Sequence, residues 1–251
     1  MNTQSYILTD LSAKFAAARS AADSFAILAD VARPFGYTRF HYTQGYLNQD
    51  LTLFDRAAHS RMGAEYSAII DANAHELADP LIDHCLASDR PKMWSELATD
   101  YHSPLMTEKH RKKISIVNDY GLRSGVTFRM RRTRYGNGWF YAGISFVQEP
   151  GESSAEHDRA YLEHAAHISK IAEIAVTSMN VGDISRQRYG LSAREYDVLN
   201  LLAEGLQVQQ IADRLSLADR TTAHHLAAMR AKMGARSNAQ AVAMAMRMQV
   251  I

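Results

Sequence analysis

The stretch DRTTAHHLAAMRAKMGA, Asp219 to Ala235, decides how the C-terminal part of this chain is interpreted. It carries two adjacent histidines, two arginines and a lysine on one predicted helix, and most of its other residues are small. At about 100° per residue, this helix has an apolar stripe and an opposite face bordered by cations. The stripe comprises Thr222, Leu226, Met229 and Met233. The opposite face and its flanks comprise Arg220, Thr221, Ala223, His224, Ala227, Arg230, Ala231 and Lys232.

Three further short helices are predicted around this stretch. The segment SAREYDVLNLLAEG has Ser192 as its N-cap, Glu195 as a capping-box partner and Gly205 as its C-terminal stop. The segment VQQIADRL follows, then a break at Ser216-Leu217, and the segment SNAQAVAMAMRMQ comes last. This order predicts a helix-turn-helix unit. The apolar stripe is expected to pack on Leu199, Leu202, Ile211 and Leu215.

The exposed face of the predicted helix that begins at Asp219 indicates contact with double-stranded DNA. Small residues allow close approach, the surrounding cations suit phosphate groups, and a helix of this width fits the major groove. Gln209 and Gln210, on the preceding helix, belong to the predicted DNA-contacting set. A metal site is disfavoured because the side chains of the adjacent His224 and His225 diverge. A solvated basic helix is the remaining alternative.

The length and charge of the chain indicate two domains. Its 251 residues suffice for a sensing domain and a smaller one. From Ser185 onward there are nine Lys and Arg residues and five Asp and Glu residues, which gives a net charge of +4. The preceding part of the chain has a net charge of −3. We predict a small-molecule-binding domain over residues 1–178, a linker over 179–190 and a DNA-binding domain over 191–251. The linker is predicted because NVGDISRQRYG interrupts the helical periodicity.

Other bulk features point to the cytoplasm. The single cysteine, Cys85, excludes an internal disulfide and fits a reducing compartment. The chain contains no run of about 18 apolar residues, so neither a membrane-spanning helix nor a membrane partner is expected. The N-terminus lacks a basic start followed by an apolar core, so no secretory signal is expected.

The first 150 residues predict an α+β domain, with a mostly antiparallel sheet sandwiched by helices, ahead of an all-α helix-turn-helix domain. Two strand-like runs, YTRFHYTQG and DLTLFDRA, follow a helical start. Two helical segments are predicted between Ala64 and Tyr120. A second pair of strands, LRSGVTFRMRR and GWFYAGISFVQE, is separated by the predicted turn TRYGN, residues 133–137. A long amphipathic helix is expected over Ser153 to Met179.

The C-terminal segment resembles the DNA-binding domain of LuxR-type transcription factors over about 60 residues. The matching residues are Arg194-Glu195, Leu199, Gly205, Ile211-Ala212, Thr221, His225, Lys232 and Gly234. The chain departs from the family pattern at Ala218, where a Ser is usual, so we expect Asp219 to take over the helix cap. Ala223 stands where Lys or Arg is common, which shifts base contact to Arg220, Thr221, His224 and Arg230.

The N-terminal part contains Asp79-Pro80 in ELADPLIDH, Trp94 in PKMWSEL and Gly125 in GLRSGVTF. On these residues, it resembles the autoinducer-binding domain of quorum-sensing LuxR-type receptors, which bind N-acyl homoserine lactones between a sheet and helices. Met62, Gly63, Tyr66 and Ile70 stand where the family usually has Tyr, Pro, Trp and Tyr, and Arg129 stands where it has a later Pro. The resemblance implies that a buried carboxylate accepts a ligand amide N–H and that Trp94 adds an apolar wall and one donor. The predicted ligand-binding residues are Met62, Tyr66, Ile70, Asp79, Trp94, Gly125 and Ser145.

Together these resemblances imply a quorum-sensing transcriptional regulator that binds a small signal and a palindromic DNA operator as a homodimer, with RNA polymerase as a further partner. No cofactor, metal or catalytic residue is expected, because no nucleophile–base spacing accompanies the predicted pocket. Three alternatives remain at this point: a receptor for another kind of small molecule, a regulator that acts without a ligand, and a lactone-degrading enzyme fused to a DNA-binding module.

Overall fold

A computed structural model describes residues 3–50, 52–73, 76–151, 153–178 and 181–251. The strands are β1 (Arg39–Leu47), β2 (Leu53–Ser60), β3 (Lys92–Met93), β4 (Gly125–Tyr135) and β5 (Gly138–Val147). The helices are α1 (Thr3–Ala17), α2 (Ala21–Ala32), α3 (Ala64–Ala72), α4 (Pro80–Ala87), α5 (Glu96–Asp100), α6 (Glu108–Asp119), α7 (Ser154–Ser178), α8 (Val181–Tyr189), α9 (Ala193–Ala203), α10 (Val208–Leu215), α11 (Asp219–Met233) and α12 (Asn238–Arg247). A short 3₁₀ helix, Arg33–Phe35, follows α2.

The five strands form one antiparallel sheet in the order β2-β1-β5-β4-β3. Because side chains alternate along a strand, its two faces carry different residues. One face packs under α1, α2 and α7 with aromatic and aliphatic side chains such as Phe40, Tyr42 and Phe146. A second apolar cluster, which includes Leu81, Leu97 and side chains of α3 and α6, covers the other face. The predicted helix–sheet–helix architecture is therefore confirmed.

Two details of the N-terminal domain correct the sequence prediction. Strand β4 continues to Tyr135, so the predicted five-residue turn is only Gly136-Asn137, and Gly136 has a φ of 59° that favours glycine. The region 64–120 contains four helices and the short strand β3 rather than two helical segments. The short elements α5 and β3 were missed because segments of two to five residues carry no measurable periodicity.

The C-terminal domain has the four predicted helices, α9 to α12. Ser192 and Glu195 form the predicted capping box, and Ser216 ends α10 in the left-handed conformation, with a φ of 54°. The predicted apolar stripe of α11 is buried, and it packs with the buried Leu199 and Ile211. The expected cap by Asp219 is wrong, because Ala218 occupies the N-cap position without a side-chain bond and Asp219 is already helical.

The segment predicted as a linker contains helix α8, and its first two residues lie outside the described part of the chain. This helix contacts the sheet of the N-terminal domain: Tyr189 Oη donates to Asp55 Oδ2 over 2.6 Å. Ser185 Oγ accepts from Gln44 Nε2 and donates to Met248 O, each over 2.6 Å. The two domains therefore meet through a buried polar contact. None of the described helices is long and apolar enough to cross a bilayer.

Candidate ligand pocket and nucleic-acid interface

A small cavity lies between the sheet and helices α3, α4 and α6; we call it the head cavity. Its volume is about 30 Å³, room for about two water molecules. Strands β1, β4 and β5 contribute residues from the face of the sheet that is turned away from α7. The lining comprises His41, Thr43, Tyr66, Asp79, Leu81, Ile82, Cys85, Trp94, Lys113, Val117, Thr127, Tyr141, Gly143 and Ser145.

Asp79 and Lys113 form an ion pair in the head cavity. Lys113 Nζ lies 3.6 Å from Asp79 Oδ2, and the two side chains are only 6% and 15% exposed. Asp79 also caps α4, since its Oδ1 accepts from the N–H of Leu81 over 3.0 Å. Burial alone would raise the pKa of Asp79, but the Lys113 ammonium and the Leu81 N–H hold it below its ordinary value. Asp79 is therefore a charged and already partnered group, and no ligand is needed to satisfy it.

Lys113 also contacts Tyr66, which lies on α3. Its Nζ donates to Tyr66 Oη over 3.2 Å and lies 5.4 Å from the centre of the tyrosine ring. Burial alone would lower the pKa of Lys113, but Asp79 and Tyr66 raise it above its ordinary value. The ammonium is therefore protonated at neutral pH, which makes it a donor and a positive charge and not a nucleophile.

Trp94 lines the head cavity, but its indole N–H is occupied. Trp94 Nε1 donates to Thr127 Oγ1 over 2.9 Å, and Thr127 Oγ1 lies 2.8 Å from Ser145 Oγ. Gly125 lies behind the indole ring: a Cβ there would meet Trp94 Cδ2 at 3.3 Å and Phe146 O at 2.8 Å. Gly125 thus makes room for Trp94.

His41 adds a polar atom to the wall formed by β1. Within the described part of the chain, its Nδ1 is buried and has no hydrogen-bond partner. Burial lowers the pKa of His41 to about 3, and the nearby Lys113 ammonium contributes. His41 is therefore neutral at physiological pH, and its ring is available to a polar group that enters the cavity.

Wider spaces adjoin the head cavity toward β2. A cavity of about 180 Å³, the middle cavity, shares Asp79 and Lys113 with it and adds Arg56. An open cleft of about 970 Å³, the outer cleft, extends along β2 and α3. Among its lining residues are Asp55, Arg56, His59, Ile70, Lys109 and Arg188. A ligand with its polar end in the head cavity has space for a longer tail in this direction.

The structure brings together four of the seven predicted ligand-binding residues, Tyr66, Asp79, Trp94 and Ser145, at the head cavity. Ile70 lines the middle cavity and the outer cleft, and Met62 lies in the apolar cluster with Tyr66 and Ile70. Sequence reasoning missed His41, Thr43, Lys113, Thr127 and Tyr141. The helical periodicity of α6 could have indicated that Lys113 is buried. Lys113 lies on the same face of this helix as His110, Ile114 and Val117, which are also buried.

The predicted DNA-contacting face of α11 is largely exposed. Arg220, Thr221, Ala223, His224, Ala227 and Lys232 are exposed, as are Gln209 and Gln210 on α10. Two of the cations already have partners: Arg230 Nη1 donates to Asn238 Oδ1 over 2.6 Å, and Lys232 Nζ bonds to Glu195 Oε2 over 2.6 Å and to Gly190 O over 2.9 Å. Lys232 therefore joins α11 to the capping box of α9, and Arg220 is the exposed cation at the start of α11.

Two family models match the chain. The model described as an autoinducer binding domain matches residues 20–178, and the model described as bacterial regulatory proteins of the luxR family matches residues 190–245. Together with the fold, these matches define a transcriptional regulator with a small-molecule-binding domain. The chain belongs to the LuxR family of bacterial regulatory proteins.

Individual relatives agree with this assignment. The transcriptional activator protein BjaR1 of Bradyrhizobium diazoefficiens is 25% identical over 226 residues, which are 86% of this chain and 84% of BjaR1. A putative HTH-type transcriptional regulator of Mycobacterium bovis is 33% identical over 117 residues, or 45% of this chain, and that match spans only 13% of the relative's length.

Two solved structures share the fold. Escherichia coli SdiA has a TM-score of 0.50 at 18% identity, covering 100% of this chain and 99% of SdiA. CepR2 of Burkholderia cenocepacia, described as an N-acylhomoserine lactone dependent LuxR family transcription factor, has a TM-score of 0.51 at 15% identity, covering 70% of this chain and 94% of CepR2. At these identities the similarity shows the architecture only.

Proposed function

We propose that this chain is a transcriptional regulator whose DNA binding is controlled by an N-acyl homoserine lactone or a close chemical relative of that class. The observation that carries the proposal is the head cavity, because it unites Tyr66, Asp79 and Trp94 from three separate segments. The adjoining outer cleft supplies space for an acyl tail. The name of CepR2 indicates the same ligand class for a protein of similar fold.

On the DNA side, we propose that two copies of the chain bind a palindromic operator, with RNA polymerase as a further partner in the cytoplasm. The exposed start of α11, with Arg220, Thr221 and His224, supports insertion into the major groove. Two such helices related by a two-fold axis would read half-sites about one helical turn apart. The name of BjaR1 supports a role as an activator.

In this proposal, ligand binding controls DNA binding through thermodynamic linkage. A ligand that binds one state of the protein more tightly favours that state and changes DNA occupancy accordingly. A receptor for a different kind of small molecule is favoured by one observation, the buried Lys113 ammonium beside Asp79. A buried ammonium group favours a ligand with an anionic polar end.

The test is thermal melting of the purified full chain with N-butanoyl, N-octanoyl and N-dodecanoyl homoserine lactones, together with mass spectrometry of molecules extracted from the protein. Unacylated homoserine lactone is the matched control. We expect at least one acylated compound to raise the melting temperature and to change the affinity for a selected operator. If no acylated compound binds and none is extracted, the proposed ligand class is wrong.

A further inference from the structure

The buried ammonium of Lys113 sets this pocket apart from the one that the family resemblance implies. Lysine is rarely buried, because the removal of its charge from water is unfavourable unless a partner compensates. Here the side chain is 6% exposed and lines the head cavity, where it contacts both Asp79 and Tyr66. This position changes both the charge and the hydrogen-bonding character of the site.

Lys113 and Tyr66 offer two donors to a ligand at this position. The Trp94 N–H already donates to Thr127, and Asp79 Oδ1 already accepts from Leu81. Tyr66 accepts from Lys113 through its oxygen, so its own hydroxyl proton remains available. Lys113 has three N–H groups, and its contacts with Tyr66 and Asp79 use at most two of them. Two adjacent donors therefore face the cavity.

The charged groups around this point carry both signs. Lys113 and Arg56 are the cations among the lining residues of the middle cavity, and Asp79 is one of its two carboxylates. Asp83 also reaches this cavity, but its carboxylate bonds to His110 Nε2 over 2.8 Å and is 61% exposed. His41 adds no charge at neutral pH. A ligand carboxylate would therefore be held by the specific donors of Lys113 and Tyr66, not by a general excess of positive charge.

We propose that the polar end of the ligand is a carboxylate, held by Lys113 Nζ and the Tyr66 hydroxyl, so that an N-acyl amino acid is preferred to the corresponding lactone. This inference rests on the proposed function, since it concerns the same pocket and an acylated ligand. The two oxygens of a carboxylate match two neighbouring donors, and the small head cavity suits this group better than a five-membered ring. The acyl tail would lie toward Ile70 and the outer cleft.

The test compares two ligands that differ only in the ring. N-octanoyl homoserine lactone and its ring-opened form, N-octanoyl homoserine, are titrated into the purified full chain by calorimetry, and the butanoyl and dodecanoyl pairs are titrated in parallel. Mass spectrometry checks that each lactone stays closed. Because hydrogen bonds between charged groups are roughly twice as strong as neutral ones, we expect the carboxylate form to bind about tenfold more tightly.

The variants separate recognition from folding. Lys113→Met alone leaves Asp79 buried without its cation, so the informative variant is Lys113→Met combined with Asp79→Asn, which removes both charges. We expect this double variant to lose the preference for the carboxylate, whereas Lys113→Arg retains it. Lys112→Met, an exposed neighbour on the same helix, removes one positive charge outside the pocket and should leave the preference unchanged.

The outcomes distinguish the two proposals. Tighter carboxylate binding that depends on Lys113 supports the inference. Equal or tighter binding of the lactone, unchanged in the double variant, overturns the inference and leaves the proposed function intact. If neither member of any pair binds, both the inference and the proposed ligand class are overturned.

Discussion

Asp79 shows how one residue can combine a structural and a recognition role. From the sequence it is a pocket carboxylate that a ligand would complete. In the structure it caps α4 and pairs with Lys113, which comes from a helix more than thirty residues later. Its removal therefore affects folding as well as binding, and a loss of ligand response in such a variant has to be separated from a loss of stability.

We expect Asp79→Ala to lower the free energy of unfolding by about 3–5 kcal/mol, because it leaves the Lys113 ammonium buried without its partner. The lost cap contributes about 1 kcal/mol of this. Denaturant unfolding of the full chain measures the change. Asp79→Ala combined with Lys113→Met should recover part of the loss; additive losses in the double variant would contradict a coupled pair.

His41 predicts a pH dependence of stability. The folded state keeps its imidazole neutral down to about pH 3, whereas the unfolded chain binds a proton below its ordinary pKa near 6.5. Stability contributed by neutral His41 is therefore present above about pH 6.5 and is lost as the pH falls, by up to about 1.4 kcal/mol per pH unit.

We expect His41→Asn to flatten the decline in unfolding free energy between about pH 6.5 and pH 5, where the wild-type loss from this group reaches about 2 kcal/mol. His102→Asn, at an exposed position, is the matched control and should keep the wild-type slope. Denaturant unfolding at several pH values provides the measurement. Parallel profiles for His41→Asn and the wild-type chain would show that His41 is not the responsible group.

At the scale of elements, α11 has two kinds of cation. Arg220 is exposed at the start of the helix, whereas Lys232 near its end bonds to Glu195 and Gly190. The sequence treats both as DNA-contacting residues because both lie near the same face. Only the packing of α11 on α9 shows that Lys232 also holds the domain together.

We expect Arg220→Ala to weaken operator binding and to reduce the salt dependence of the binding constant by about one counterion. Fluorescence anisotropy at several salt concentrations measures both quantities. Arg194→Ala removes an exposed arginine from α9 that is paired with Asp197 over 3.3 Å, and it serves as the control. An unchanged affinity and salt slope for Arg220→Ala would remove this residue from the interface.

At the scale of the whole molecule, the ligand-binding and DNA-binding domains are in contact. Tyr189 on α8 bonds to Asp55 on β2, and Arg188 Nε donates to the backbone oxygen of Arg56 over 3.2 Å. Asp55, Arg56 and Arg188 also line the outer cleft. The outer cleft therefore lies beside the junction between the domains.

We expect Tyr189→Phe to make α8 open more often, because it removes a hydrogen bond to a carboxylate worth about 1.5–3 kcal/mol. Tryptic cleavage after Arg186 and Arg188 requires this opening and should accelerate about tenfold or more in the variant. Tyr135→Phe, the same change in the partly exposed end of β4, is the control. Equal cleavage rates for the wild-type chain and Tyr189→Phe would contradict a stabilising role for this contact.

Local signals in the sequence predicted much of the fold. The capping box of Ser192 and Glu195, the stop at Gly205 and the buried stripe of α11 all follow from residues a few positions apart. The long helix α7 and the hairpin strands follow from periodicity in the same way. These features could be predicted because each depends on neighbours along the chain.

The sequence by itself determined the two-domain class, the helix-turn-helix unit and the positions of Tyr66, Asp79 and Trp94 as pocket candidates. Only the tertiary structure decided how those positions are used. It pairs Asp79 with Lys113, turns the Trp94 N–H toward Thr127, and brings helix α8 against β2. These contacts join residues far apart in the chain, and neither periodicity nor capping contains information about such partners, because they are set by the packing of whole elements.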